Sequence, residues 1–95
     1  MTAFVVFTRE EILDQRELDE YSAKVGKTFD GHQVKAHAAY GTLEVLEGPQ
    51  ILGAVILEFP DMDAARNWYH SPSYQEVVQH RFQGANYRSF IVQAL

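Results

Sequence analysis

The chain has 95 residues, 46% of them apolar and 13% aromatic, and its 8 basic and 13 acidic side chains leave a formal charge of -5. This length predicts one domain, 1–95, with a modest core. No basic cluster is present to pair with nucleic-acid phosphates, and no apolar run is long enough to span a membrane. The absence of cysteine excludes disulfides, and the N-terminal residues lack a secretion signal, so we expect a cytoplasmic protein.

Four stretches have the residue spacing of β-strands. Residues 3–7 and 51–57 are continuous apolar runs, which predicts two neighbouring strands covered on both faces. The alternating stretch 34–40 places Val34, Ala36, Ala38 and Tyr40 on one side and Lys35, His37 and Ala39 on the other. It predicts a strand with one polar face, which residues 43–46 are expected to continue, and residues 88–92 supply the last strand.

The first helix has three signals at its start. Asp14 is the expected N-cap, Glu17 stands at the capping-box position, and Leu13 is placed to pack against Leu18. The apolar face that follows consists of Leu18, Tyr21, Val25 and Phe29. Gly31 is the expected end of the helix, because glycine readily adopts the left-handed conformation that closes helices.

A second helix is expected to break in its middle. Asp61 is its predicted N-cap. Pro72 drives the preceding residue out of helical geometry, so Ser71 is expected to cap a new helical segment. One face of that segment carries Tyr74, Val77, Val78, Arg81 and Phe82, and Gly84 ends it. A single charged residue, Arg81, therefore lies in an apolar stripe.

The predicted order is strand, helix, strand, strand, broken helix, strand. This order consists of two β-α-β halves. It predicts an α+β fold of the ferredoxin-like βαββαβ type, in which an antiparallel four-stranded sheet carries both helices on one face. The other face would remain bare, although two of its strands are apolar on both sides. We therefore expect a homodimer that buries this face by packing sheet on sheet about a two-fold axis.

One region has a distinctive order of residues: Glu58-Phe59-Pro60, Ala64-Ala65, Trp68-Tyr69-His70-Ser71-Pro72-Ser73-Tyr74-Gln75 and the later Arg81. This order resembles the hallmark of the small bacterial DUF1330 proteins, and Tyr21 and Leu46-Glu47-Gly48 fit the same pattern. The chain departs from it at Asp61, where Ser is commoner, and at His32, which replaces a Gly. The resemblance implies the fold of the dimeric α/β-barrel superfamily and brings no established reaction.

Arg81 is the first candidate for ligand binding. A guanidinium is always charged, and its fork of donors beside an apolar groove suits a carboxylate or an enolate. The alternative is structural, because a buried Arg is usually paired. In that case Glu44, Glu47 or Glu58 would supply a salt bridge.

Two tyrosines flank the expected helix break. The hydroxyls of Tyr69 and Tyr74 would converge on one ligand as donors, with Tyr74 on the same helix face as Arg81. Alternatively both rings fill the core, which is also what we expect of Trp68.

His37 is the candidate general base, on the condition that the polar side of its strand faces the cleft between helices and sheet. The alternative is a solvent-exposed histidine on an edge strand. The four histidines lack metal-binding spacing, so no metal is expected. The chain also lacks a phosphate loop and a dinucleotide fingerprint, so it predicts no cofactor.

Two functions from different classes are compatible with these residues. The first is a cofactor-independent enzyme, such as a monooxygenase or an isomerase, acting on a small anionic or phenolic metabolite by analogy with the superfold. Arg81 and Tyr74 would hold that substrate, and His37 or a water molecule would move a proton. The second is a non-catalytic dimeric protein that binds a small molecule or has a structural role.

Overall fold

The computed structural model describes all 95 residues. Its strands are β1 (Ala3–Ile12), β2 (Lys35–Ala39), β3 (Gly53–Phe59) and β4 (Ala85–Gln93), and its helices are α1 (Gln15–Lys24), α2 (Met62–Tyr69) and α3 (Pro72–Gly84). A 3₁₀ segment, Val25–Phe29, extends α1. None of the helices has the combination of length and apolar character that crossing a membrane requires.

The four strands form one antiparallel sheet in the order β2-β3-β1-β4. The N-terminal strand is central and the second apolar run lies beside it, with Val5 opposite Leu57. The predicted ferredoxin-like α+β fold is therefore confirmed. Residues 43–46 form no strand, contrary to the prediction, because the backbone turns into the left-handed region at Tyr40, φ 59°, and β2 ends there.

The side chains of the central strand β1 alternate between the two faces of the sheet. The inward residues of β1, which are Ala3, Val5 and Phe7, are buried under the helices. The residues between them point outward and are only half-buried. On the same outer face Phe90 of β4 is 52% exposed. This face is the bare apolar surface that the sequence predicts.

The start of α1 is capped, but not by the predicted capping box. The Asp14 side chain accepts a hydrogen bond from the Arg16 N–H at 3.0 Å, as expected of an N-cap. Glu17 instead reaches across to α3, where its Oε2 lies 2.6 Å from His80 Nδ1. The Asp14 N–H, which the capping box would have used, donates to the Gly84 carbonyl at 3.0 Å. Contacts with α3 thus replace the local capping box.

The helix break lies where it was predicted. Asp61 caps α2 by accepting a backbone N–H at 2.7 Å, and Ser71 Oγ accepts the Tyr74 N–H at 3.3 Å at the start of α3. Pro72 is the first residue of α3. Phe82 does not share the buried face as predicted and is 50% exposed. A step of about 100° from Arg81 carries it beyond the buried stripe.

We predict that Gly84→Ala destabilises the fold. A Cβ at Gly84 would lie 2.9 Å from Leu18 Cγ and 3.0 Å from the Leu18 backbone nitrogen, so α1 and α3 would have to separate. Urea unfolding should show a loss of about 1–3 kcal/mol. Gly26→Ala is the matched control, because nothing lies within 4 Å of its Cβ position, and it should change stability by about 0.5 kcal/mol or less. Equal stability of the two variants would contradict this close contact.

Candidate functional site

A cavity of about 200 Å³ lies between the inner face of the sheet and the helices. Its walls are almost entirely apolar and aromatic, and Arg81 is the only charged residue among them. The other large side chains of the wall include Phe7, Tyr21, Tyr40, Trp68 and Tyr87. The open end lies beside β2, because the lining residues Ala36, Ala39 and Tyr40 are exposed.

Arg81 brings a full positive charge to the inner part of this cavity. It projects from α3 and is only 4% exposed. The alternative prediction of a salt bridge with Glu44, Glu47 or Glu58 is wrong, because no carboxylate pairs with Arg81. Glu58 is on the opposite face of the sheet, where it contacts His37. The buried Nε of Arg81 has no hydrogen-bond partner.

Aromatic rings surround the Arg81 guanidinium instead of acids. Its Cζ lies 4.7 Å from the ring centroid of Tyr87 and 5.1 Å from that of Phe7. The ring of Tyr21 adds a third contact at 5.9 Å. Ring faces attract cations, so they stabilise the charge without satisfying the Nε–H donor. Burial lowers the pKa of Arg81, but the nearby phenols of Tyr74 and Tyr21 outweigh it, and the guanidinium stays charged.

Tyr21 and Tyr74 form a buried hydroxyl pair beside Arg81. Their oxygens are 2.8 Å apart, and their rings meet edge to face with centroids 6.3 Å apart. Tyr21 lines the cavity, whereas Tyr74 is fully buried and is not part of the wall. Burial raises the pKa of both phenols. Both are therefore neutral near pH 7, and Tyr74 acts on the cavity from behind the wall, through its bond to Tyr21 and its proximity to Arg81.

The two aromatics at the end of α2 belong to the core. Trp68 is fully buried, donates from Nε1 to Thr28 Oγ1 at 3.1 Å and stacks on Phe29 with centroids 5.0 Å apart. One side of Trp68 also lines the cavity. Tyr69 is half-buried, its ring packs against that of Tyr74 at 5.4 Å, and it does not line the cavity.

A bulge in β2 breaks the alternation that the sequence predicted. Ala36 and Ala38 stand opposite two successive residues of β3, so His37 between them is an extra residue. Ala39 consequently joins Ala36 on the cavity side, where Ala38 was expected. The predicted sides of Ala38 and Ala39 are therefore exchanged.

His37 lies on the outer face of the sheet and not in the cleft. Its Nε2 is 2.7 Å from Glu58 Oε1, and its ring meets Phe4 edge-on with centroids 6.0 Å apart. Phe4 is an outward residue of β1. The condition for a general base at His37, a position facing the cleft between helices and sheet, is not met.

No motif in the sequence marked the residues at the open end of the cavity. The hydroxyls of Tyr40 and Tyr87 are 2.8 Å apart, and Arg9 Nε donates to Tyr87 Oη at 2.6 Å. The Arg9 guanidinium also covers the Tyr40 ring, with Cζ 4.3 Å from its centroid. The alternation of residues 87–91 would have placed Tyr87 with the inward Ile91. The left-handed backbone of Tyr40 and the position of Arg9 have no local signal.

Gly53 makes room for this arrangement. A Cβ at Gly53 would lie 2.7 Å from the Tyr40 ring, so the ring rests directly on the glycine backbone. Burial raises the pKa of Tyr40, and its hydrogen bond with Tyr87 raises it further. Tyr40 is therefore also a neutral hydroxyl group at physiological pH.

The cavity thus combines one cation with neutral hydrogen-bonding groups. Tyr21, Tyr40 and Tyr87 supply hydroxyls, and the wall contains no carboxylate and no imidazole. No three His, Asp or Glu side chains are close enough together to hold a metal ion. Such a site can stabilise an anion and donate hydrogen bonds to it. A proton taken from a ligand here would have to leave with water.

These features define a ferredoxin-like α+β domain with an apolar cavity and one buried cation. The chain belongs to the DUF1330 family, since the model of that family, a domain of unknown function, matches residues 2–95. The resemblance seen in the sequence is thereby confirmed. No protein with a curated description matches the chain.

Several solved structures have this fold. A protein of unknown function from Rhodopseudomonas palustris aligns with a TM-score of 0.74 and 19% identity, covering 99% of this chain and 82% of that one. The cofactor-independent oxygenase SnoaB from Streptomyces nogalater gives 0.67 and 12%, covering 99% and 93%. A dimeric ferredoxin-like protein of unknown function from Thermobifida fusca gives 0.66 and 10%, covering 99% and 92%. At these identities the likeness concerns the fold alone.

We predict that the Tyr21–Tyr74 pair behaves as one unit. Tyr21→Phe leaves the Tyr74 hydroxyl buried without a partner and should cost about 1–3 kcal/mol in urea unfolding at pH 7. Tyr74→Phe should behave likewise. The double variant removes both hydroxyls and should be more stable than the sum of the single losses implies. Simple additivity of the two losses would show that the hydroxyls do not depend on each other.

The same pair predicts a loss of stability in alkali. Burial raises the pKa of both phenols above their unfolded value of about 10, so the folded chain keeps protons that the unfolded chain releases. The free energy of unfolding should therefore be independent of these groups below pH 10 and fall above it. Urea unfolding between pH 9 and pH 11 should show a shallower fall for the double variant. Identical slopes would contradict this assignment.

Proposed function

We propose that the cavity binds a small organic anion, with Arg81 as its charge partner. The observation that carries this proposal is a guanidinium that is 4% exposed, pairs with no carboxylate and has an unsatisfied Nε donor. A buried charge is costly unless it is paired and hydrogen-bonded. The aromatic rings around Arg81 reduce that cost, and a carboxylate, enolate or phenolate would supply the negative partner that the protein itself does not provide for the terminal N–H groups of the guanidinium.

The volume and the wall define the rest of the ligand. An apolar cavity of about 150 Å³ admits benzene, so the space of about 200 Å³ fits one ring with a small acidic group. Phe7 and Trp68 offer ring surfaces on which such a body can pack. The hydroxyl of Tyr21 lies near the charge and would orient the acidic group. Tyr74 holds that hydroxyl in place, and Tyr69 supports the ring of Tyr74.

A catalytic role is the second candidate. A cation and neutral hydroxyls that hold an enolate or phenolate also make its formation easier, because they stabilise the charge that develops on oxygen. SnoaB is a cofactor-independent oxygenase on the same fold, so the analogy is available, although it rests on the fold alone. His37 lies on the other face of the sheet, so a water molecule would have to accept the proton.

We also propose that the protein is a homodimer through the outer face of the sheet. Phe90 and Val92 are 52% and 46% exposed there, and they adjoin the outward residues of β1. An apolar sheet face of this kind is usually covered in solution. The T. fusca protein with this fold is described as dimeric.

We predict that Arg81→Met weakens anion binding without unfolding the protein. Losing a buried charged hydrogen bond should weaken benzoate binding about tenfold to a hundredfold in calorimetry. The Tm should stay the same or rise, because the substitution removes an unpaired buried charge and keeps the volume. Benzamide, which has the same shape and no charge, should bind the wild type no better than it binds the variant.

Arg88→Met is the control for the Arg81 variant. Arg88 carries the same charge, but its side chain is 84% exposed and lies 3.5 Å from Glu10. It should bind benzoate like the wild type. A structural role for Arg81 would be indicated if Arg81→Met lost several kcal/mol of stability and kept its affinity for benzoate. Absence of benzoate binding in the wild type would argue against an anion site.

The dimer has its own test. Phe90→Glu places a charge in the proposed interface and should halve the mass measured by light scattering. Leu13→Glu is a matched control, because Leu13 is similarly exposed, at 56%, but lies directly before the N-cap of α1. It should leave the dimer intact. A monomeric wild type, or a dimeric Phe90→Glu, would rule out this interface.

A further inference from the structure

Two arginines of this acidic chain have no carboxylate partner. Of the five arginines, Arg16, Arg66 and Arg88 form salt bridges. Arg81 and Arg9 do not, although the chain has 13 acidic residues. Arg81 lines the cavity, and Arg9 contacts two residues of its wall, Tyr40 and Tyr87.

The ring of Tyr87 contacts both unpaired arginines. The Cζ atoms of Arg81 and Arg9 lie 4.7 and 5.5 Å from the ring centroid of Tyr87. Tyr87 itself is part of the cavity wall. The Cζ atoms of the two arginines are therefore at most about 10 Å apart. Like charges this close repel each other, and an anion with two acidic groups would relieve both at once.

Arg9 is held in a fixed position at the open end. Its Nε donates to Tyr87 Oη at 2.6 Å, and its guanidinium lies over the ring of Tyr40, with Cζ 4.3 Å from the centroid. Tyr40 is fixed in turn by its bond to Tyr87 and by the bare backbone of Gly53 beneath it. Because Nε is bonded to Tyr87, the terminal N–H groups of this anchored guanidinium remain to bind a planar acidic group.

The difference in burial between the two arginines assigns them different roles. Arg81 is 4% exposed and can pair only with a group that enters the cavity. Arg9 is half-buried and stands beside the exposed Tyr40, so its partner would sit at the mouth, partly in water. The cavity wall beside Arg81 is apolar and aromatic.

We infer that the ligand carries two acidic groups at opposite ends of a one-ring or short apolar body, the inner one on Arg81 and the outer one on Arg9. Arg9 is then the residue that selects a doubly acidic ligand over a singly acidic one. This inference rests on the proposed anion site, since it assigns the second end of the same ligand.

The test compares benzoate with benzene-1,3- and benzene-1,4-dicarboxylate by calorimetry on the full chain. The wild type should bind the better dicarboxylate at least about tenfold more tightly than benzoate, as expected for one additional charged hydrogen-bonded contact. Arg9→Gln should remove that advantage, which is measured as the ratio of dicarboxylate to benzoate affinity within the same variant. Arg9→Lys keeps the charge without the planar fork and should retain part of the advantage.

Arg16→Gln controls for net charge, because it removes the same charge from a side chain that is 94% exposed at the start of α1. It should keep the wild-type preference, and both Gln variants should be checked for an unchanged Tm. Equal binding of benzoate and both dicarboxylates, or a preference that survives Arg9→Gln, would overturn this inference alone. Failure of every one of these acids to bind, benzoate included, would overturn the anion site itself.

Discussion

The guanidinium of Arg81 is the point at which the elements of this fold meet. Phe7 from β1, Tyr21 from α1 and Tyr87 from β4 place their rings around a charge that projects from α3. Cation–π contacts need ring faces within about 6 Å, so these four elements cannot shift relative to one another without losing part of that stabilisation. Packing and electrostatics therefore fix the same geometry.

The acidic residues of the chain lie outside the wall of the cavity that contains Arg81. Glu17 contacts His80 between the helices, Glu58 contacts His37 on the outer face, and Glu10 lies beside Arg88. A carboxylate in the cavity wall would neutralise Arg81 and stabilise the empty site, since breaking such a pair is costly. Because none is present, we propose that the neutralising group comes from a molecule that enters the cavity. This is the physical reason for preferring a ligand to a structural ion pair.

The fold and the helix caps were readable from the sequence, because each depends on residues close together in the chain. Asp14, Asp61 and Ser71 cap the helices as predicted, and the two continuous apolar runs are neighbouring strands. The cavity was only partly predictable. Three features depend on contacts between distant segments: the bulge at His37, the left-handed turn at Tyr40 and the missing partner of Arg81. Periodicity and local propensity carry no information about such contacts.

The side chains of the central strand alternate between the proposed ligand site and the proposed dimer face. Phe7 points inward to Arg81, whereas Phe4 points outward to His37 on the face that we propose as the dimer interface. A slip of one residue would exchange these faces, but β1 is paired on both sides and cannot slip without breaking both ladders. Dimer contacts can therefore change on one face without altering the charge on the other. For the same reason ligand binding and self-association should be separable by single substitutions.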